Sequence, residues 1–139
     1  MKHAIYALLA LCLVLSGCSK QNAEPTKDDR LIITIPISPT SPAVRKIQVA
    51  YSNLGEMHWD NAYQSCDSLG DGWRLPTKEE LQAIYRELYL KGKGNLALNW
   101  YWSGTEDGAD KAWSVYFADG YAYSYYKFNN GQVRAVRDL

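Results

Sequence analysis

The stretch Gly72-Trp73-Arg74-Leu75-Pro76-Thr77-Lys78-Glu79-Glu80-Leu81 constrains this chain more than any other, because it fixes a turn, an aromatic anchor and a helix start within ten residues. Thr77 followed by Glu80 is a capping box: the hydroxyl accepts from the Glu80 amide while the carboxylate reaches back to the Thr77 amide. Pro76 biases Leu75 towards an extended backbone and separates it from the helix that follows. Leu81, Ile84, Tyr85 and Leu88 then fall at i, i+3, i+4 and i+7, one apolar face about two turns long. Trp73 and Leu75 are expected to bury beside that face, with Arg74 turned away towards a carboxylate or backbone carbonyls. Taken alone, this is a folding element and not a chemical one.

A chain of 139 residues suits one domain of modest size. Fifteen basic and fifteen acidic residues cancel, which argues against a general nucleic-acid binder. Eleven Tyr and five Trp against two Phe favour aromatic residues with a polar handle, which suit half-buried sheets and binding surfaces. Tyr is also simply a good strand former.

The N-terminus reads as a targeting segment. Met1-Lys2-His3 is a short positive region, and the apolar run Ala4–Leu15 is too short to span a bilayer comfortably but suits a secretory signal. It runs into Leu15-Ser16-Gly17-Cys18, which resembles the bacterial lipobox; the resemblance implies cleavage after residue 17 and lipidation of Cys18. Several acyl chains together anchor stably where one is marginal. Ser19 after the cysteine is similar to lipoproteins sorted to the outer membrane. The expected organisation is therefore a signal peptide over 1–17, a lipidated N-terminus and tether over 18–43, and one domain over 44–139.

Residues 19–30 are polar and without an apolar period, as in a flexible tether. Leu31–Ile37 fits an edge strand, since Pro36 forbids a central one, but the sequence leaves open whether it packs on the domain. The Ser38-Pro39-Thr40-Ser41-Pro42 run behind it reads as a stiff spacer. Val44–Tyr51 alternates as a strand with Ile47, Val49 and Tyr51 inward. Trp59, Ala62, Tyr63, Cys66 and Leu69 keep helical spacing over about 57–69, and Gly70-Asp71-Gly72 ends that helix. The second helix is expected over about 78–90, and 95–99 is a connector. From Trp100 the pattern turns to strands: 100–104, then 112–118 with Trp113, Val115 and Phe117 on one face. Asp119-Gly120 marks a tight turn, 121–128 another strand, Asn129-Asn130-Gly131 a turn and 132–137 the last strand. The order β-α-α-β-β-β predicts an α+β fold, two helices on a twisted antiparallel sheet closed by the strand at 44–51.

Nothing here has the composition of a catalytic centre. His58 lies at a helix start without Cys or His at ligand spacing, and reads as a surface residue. Asp107 and Asp110 in Glu106-Asp107-Gly108-Ala109-Asp110 read more readily as solvated loop acids than as a weak cation site. We therefore expect no enzyme activity, no cofactor and no metal. What remains is surface. Alternation places Tyr121, Tyr123 and Tyr125 on one face of their strand and Ala122, Ser124, Tyr126 and Phe128 on the other. Tyr121, Tyr123, Tyr125, Asn129 and Asn130 are the candidate ligand-binding residues, against the plainer reading of Tyr-rich strands that merely pack a sheet.

Several motifs together, in order, resemble one bacterial domain family. They are Trp59-x-x-Ala62-x-x-x-Cys66, Gly72-Trp73-Arg74-Leu75-Pro76-Thr77-x-x-Glu80-Leu81, Tyr101-Trp102-Ser103-Gly104-Thr105, Ala112-Trp113-x-Val115-x-Phe117 and Val133-Arg134-x-Val136-Arg137. The family is typified by the C-terminal domain of the Legionella collagen-like adhesin, and the resemblance covers about 44–139. It implies a C-type lectin-like fold, similar also to formylglycine-generating enzymes, with Trp59, Cys66, Trp73, Arg74, Thr77, Glu80 and Trp113 as structural residues. The cysteine pair of the formylglycine-generating branch and the Glu-Pro-Asn calcium-lectin signature are both missing.

Three functional expectations follow. The first is a surface-anchored adhesin or binding module that recognises a glycan or protein ligand, held to the membrane by its N-terminal lipid and not binding nucleic acid. The second is a retroelement-diversified receptor, similar to C-type lectin-like lipoproteins with a variable segment at about 101–130. The third is a passive structural lipoprotein of the envelope. Relatives in the resembled family often carry a cysteine where this chain has Ala135, so the resemblance implies that Cys66 is buried and has lost a disulfide partner. Ala135→Cys should therefore bridge to Cys66 under oxidising conditions, and two free thiols by mass spectrometry in that variant would refute the pairing.

Overall fold

The computed structural model describes residues 31–139; the expected signal segment over 1–17, the expected lipidation at Cys18 and the expected tether up to Arg30 lie outside the described residues. The described chain opens with strands β1 (Leu31–Pro36) and β2 (Val44–Val49), then a short β3 (Glu56–Met57) and helix α1 (Trp59–Asp67). Helix α2 (Lys78–Glu87) follows, extended by a 3-10 turn at Tyr89–Lys91. Strands β4 (Trp100–Glu106), β5 (Lys111–Tyr116), β6 (Ala122–Tyr126), β7 (Gly131–Gln132) and β8 (Val136–Asp138) complete it. The fold is α+β, as expected, but its strands form two sheets: β1-β2-β8 and β3-β7-β4-β5-β6. The expected last strand at 132–137 divides between them, with β7 in one and β8 in the other.

The structure decides the question that the sequence left open at 31–37. β1 pairs with β2 along its whole length, Leu31 opposite Val49 and Pro36 opposite Val44, and the sheet thus begins ahead of residue 44. Ile33 and Ile35 bury against α2, while Pro36 takes the last position of an edge strand, where its missing N–H costs no ladder bond. The Ser/Pro run at 38–42 is therefore the turn of a hairpin and no spacer; Ile37 N–H donates to Ala43 O at 3.0 Å across its base. Ile47 and Val49 face inward as predicted, but Tyr51 lies past the strand end and is exposed.

Two apolar clusters make the core. One sits between α2, the β1-β2 hairpin and one face of the large sheet, and holds Leu81, Ala83, Ile84, Leu88, Tyr101, Val115 and Phe117. The other lies under α1, with Trp59, Ala62 and Cys66 against Leu75, Trp102, Ala112, Val133 and Ala135. Tyr63 and Leu69, expected on the buried side of α1, are exposed: the helix stops at Asp67, and only one narrow stripe faces the sheet. Trp113 is half-buried, with the Lys78 ammonium 4.6 Å from its ring centroid, while Val115 and Phe117 beside it are fully enclosed. Gly120 (φ +76°) lets the β5-β6 turn sit on α2; a Cβ there would come within 2.3 Å of the Tyr85 ring.

The capping box forms as read from the sequence. Glu80 N–H donates to Thr77 Oγ1 at 3.2 Å and Thr77 N–H to Glu80 Oε2 at 2.7 Å. The same carboxylate, 1 % exposed, takes a two-pronged contact from Arg74 at 2.8 and 2.9 Å and a further hydrogen bond from Arg45. Both arginines also reach Asp138 on β8. Burial alone would raise the Glu80 pKa; the bonds from Arg74, the Thr77 amide and Arg45 outweigh it and hold the group below its ordinary value.

Arg134 is the second internal charge. Fully buried, it donates to Asn53 Oδ1 at 2.8 Å, Ala50 O at 2.7 Å, Asn95 O at 2.9 Å and the Tyr51 carbonyl. Carbonyls thus satisfy a guanidinium whose pKa burial lowers, and they tie the segment after β2 to the connector before β4.

Because the Glu80 pKa lies lower in the folded than in the unfolded chain, its contribution is present above the unfolded value of about 4.3 and is lost as pH falls through the folded value. Glu80→Gln should destabilise by about 3 kcal/mol at pH 7, since it leaves two arginines facing a neutral amide. Urea denaturation at pH 7 and pH 3 should show the gap to the parent protein shrinking at the lower pH; a constant gap would remove the ionised carboxylate as the cause.

Candidate ligand-binding face

Strand register decides which aromatic rings share a face. Trp100 lies opposite Tyr116 and Trp102 opposite Ser114; on the next strand Ser114 is opposite Tyr123 and Ala112 opposite Tyr125. Directly opposed residues point the same way, so Trp100, Trp102, Tyr116, Tyr123 and Tyr125 rise from one side of the large sheet. Helix α1 covers one half of that side: Trp102 and Ala112 are buried in its cluster, and Tyr125 packs against them. Trp102 Nε1–H donates to Met57 O at 2.9 Å, which fixes the ring under the chain that enters α1.

The other half is an open aromatic array. Trp100 stacks on Tyr116 with centroids 4.5 Å apart and planes 16° from parallel, and on Tyr125 at 5.2 Å and 2°. Tyr123 meets the Trp100 ring edge-on at 5.3 Å. Tyr123 is 40 % exposed and Tyr121, one step before the strand, 67 %. Asp119 organises this end: Oδ1 accepts from Tyr121 N–H at 2.9 Å and Oδ2 from the Tyr123 hydroxyl at 2.8 Å. The bond to the carboxylate raises the Tyr123 phenol pKa and keeps that hydroxyl protonated. The result is a cluster of mutually packed rings, of which Tyr121 and Tyr123 are exposed, with an oriented hydroxyl and a carboxylate at its rim able to hydrogen-bond a ligand.

The five expected site residues do not all meet. Tyr121 and Tyr123 stand together at the Asp119 end. Tyr125 is half-buried, serving as the shelf that Trp100 stacks on, so it is not a free surface residue. Asn129 and Asn130 lie at the far end of β6, where Asn129 N–H closes the turn on Tyr126 O at 2.9 Å. On the opposite side of the strand Tyr126 and Phe128, 42 % and 66 % exposed, stack at 5.1 Å. The Lys111 ammonium sits 4.6 Å from the Tyr126 ring centroid. Trp100 and Tyr116, missed from the sequence, belong to the array; their periodicity is that of any strand, and only the pairing shows that they oppose each other.

The acidic loop after β4 already holds a cation of the chain itself. Lys127 Nζ binds Glu106 Oε2 at 2.6 Å and Ala109 O at 3.1 Å, and lies 4.4 Å from the Trp59 ring centroid. No group of three or more His, Cys, Asp or Glu that could hold a metal ion occurs among the described residues. His58 precedes α1 as an exposed residue whose side chain makes no capping bond. Cys66 is fully enclosed, and burial pushes its thiol up to about 12. Ala135 lies in the same cluster. Trp73, half-buried, carries the Arg137 guanidinium at 4.8 Å from its ring centroid.

Two helices packed on two mostly antiparallel sheets, with an aromatic face beside one of them, define the class: an α+β module of C-type lectin-like kind. The chain belongs to the family described as the Lcl C-terminal domain, which matches residues 26–137. That match begins ahead of β1, in agreement with the strand's place in the fold. Membership places the chain among adhesin-type modules of the cell surface or envelope. A search of curated proteins returns no match.

Enclosure of Cys66 makes a chemical prediction. In the native protein at pH 8, iodoacetamide should leave Cys66 unmodified over hours, and denaturation in urea should make it fully reactive. Peptide mapping reads the site directly; rapid native alkylation would show that the α1 cluster opens far more easily than its packing implies.

Proposed function

We propose that this protein is a non-catalytic binding module, tethered to the outer membrane through a lipidated Cys18, which recognises a glycan or protein ligand through the open aromatic array of Trp100, Tyr116, Tyr121 and Tyr123. The observation that carries this reading is the half of the sheet face that α1 leaves uncovered. There the exposed Tyr121 and Tyr123 stand beside the half-buried Trp100–Tyr116 stack, with a hydroxyl and a carboxylate held at the rim. Rings of this kind supply large rigid contact area at low entropic cost, and stacking on the apolar face of a sugar or on another aromatic side chain suits such a surface. Family membership supports the adhesin class, and the lipobox-like Leu15-Ser16-Gly17-Cys18 supports the anchor. The groups with shifted pKa values are each accounted for by a partner or by burial, which supports a non-catalytic role: Glu80, Arg74, Arg134 and Cys66 are committed to internal contacts, Glu87 to Lys91 and the Tyr123 hydroxyl to Asp119.

Glycan-array and host-cell binding with the purified protein test the reading. Replacing Tyr121 and Tyr123 together by Ser should weaken binding at least tenfold, equivalent to about 1.4 kcal/mol or more, and shift the melting temperature by only a few degrees. Undiminished binding by a folded double variant would move the site elsewhere. No binding by the parent protein to glycans, cells or envelope proteins would favour the passive structural alternative.

A further inference from the structure

Strand β6 ends the large sheet, and among the described residues no strand pairs with its outer edge. The order β3-β7-β4-β5-β6 leaves it one neighbour. Tyr121 O and Lys127 N–H are both bonded to the β5 side, to Tyr116 N–H and Asp110 O. Alternation along an antiparallel strand then aims the backbone groups of Ala122, Ser124 and Tyr126 outward. Side chains do not screen them: Ser124 and Tyr126 are exposed and Ala122 half-buried.

Proteins normally blunt such an edge with charge, proline, a bulge or brevity. The other edges here have these devices. β1 ends in Pro36, β3 has two residues and includes Glu56, and β8 carries Arg137 and Asp138. From Gly120 to Tyr126 there is neither charge nor proline, and the register with β5 runs without a break. Lys127, the one cation at the strand's end, is turned back onto Glu106 and Ala109.

The sequence of this edge fits itself. An antiparallel pairing about a two-fold axis through Ser124 sets Tyr123 opposite Tyr125, Ala122 opposite Tyr126 and Tyr121 opposite Lys127 of the second chain. Further out, Gly120 meets Phe128, and Asp119 meets Asn129. No like charges oppose each other, each large ring on the Ala122–Tyr126 side meets a small residue, and the Tyr123–Tyr125 pairs extend the aromatic face from one chain to the next. Ser124 N–H and O exchange two bonds with their counterparts, and Tyr126 N–H reaches Ala122 O on each side.

We propose that β6 is a self-association edge, through which two copies of this chain join their five-stranded sheets into one ten-stranded sheet about a two-fold axis at Ser124. The pairing is isologous, so it closes at two copies and leaves no further edge of the same kind. It does not depend on any ligand bound to the aromatic array.

Oxidative cross-linking of the full-length chain in its native envelope tests this. Across a hydrogen-bonded antiparallel pair the Cα atoms lie about 5.5 Å apart, within disulfide range. Ser124→Cys should therefore convert most of the protein to a covalent dimer on a non-reducing gel, while the parent chain and Tyr123→Cys stay monomeric. Ser124→Lys, which sets two ammonium groups face to face, should lower the dimer fraction in detergent sedimentation at least tenfold, with an unchanged circular dichroism melt. No excess dimer in Ser124→Cys, equal cross-linking of both cysteine variants, or unaltered sedimentation of Ser124→Lys would each overturn the proposal.

Discussion

The Glu80 carboxylate holds the molecule's parts in register. It caps its own helix through Thr77, and its two oxygens receive Arg74 from the loop before α2 and Arg45 from β2. Both arginines continue to Asp138 on β8. One buried anion thus fixes where α2 begins and how the three-stranded sheet lies against it. A lone carboxylate in that position would be neutralised or expelled; two guanidinium groups and a backbone amide keep it ionised. Backbone bonds repeat the tie, for Arg74 and Val136 pair as an isolated bridge with N–H and C=O exchanged at 2.9 Å.

The large sheet inherits its division of labour from that frame. With α2 fixed, one face of β4 and β5 is closed by Leu81, Ile84 and Leu88. Helix α1 then closes only half of the other. Its helical stretch is short, ending at Asp67 before Gly70 and Gly72 take positive φ. The uncovered half is where Trp100, Tyr116 and Tyr123 gather. The surface that suits a ligand is thus the area the helix pair leaves open, and the rings there are held by mutual stacking and by Asp119.

Polar groups inside the fold serve positioning. The Trp59 and Trp102 indole N–H groups donate to the Ser103 and Met57 carbonyls at 2.8 and 2.9 Å, and the Ser114 hydroxyl donates to Tyr101 O at 2.9 Å. Among the described residues, no buried side-chain nitrogen or oxygen lacks a partner. Such complete pairing selects one arrangement of strands over close alternatives, because a slip of one residue would orphan several of these donors at once. Close approach adds to this: a Cβ on Gly131 would come within 2.9 Å of Trp102 Nε1.

Local chemistry determined the capping box, the apolar stripe of α2, the tight turn at Asp119-Gly120 and the α+β class, since each depends on residues within a few positions of one another. The motif set determined the family. Only the tertiary structure decided that β1 belongs to the domain, because an edge strand and a linker differ in their partners and not in their sequence. It also decided that the strands split into two sheets, that Tyr125 supports the array while Tyr123 presents it, and that Lys127 fills the acidic loop. These outcomes rest on pairings between residues far apart in the chain, and periodicity sets which residues share a face of a strand while leaving open what covers that face.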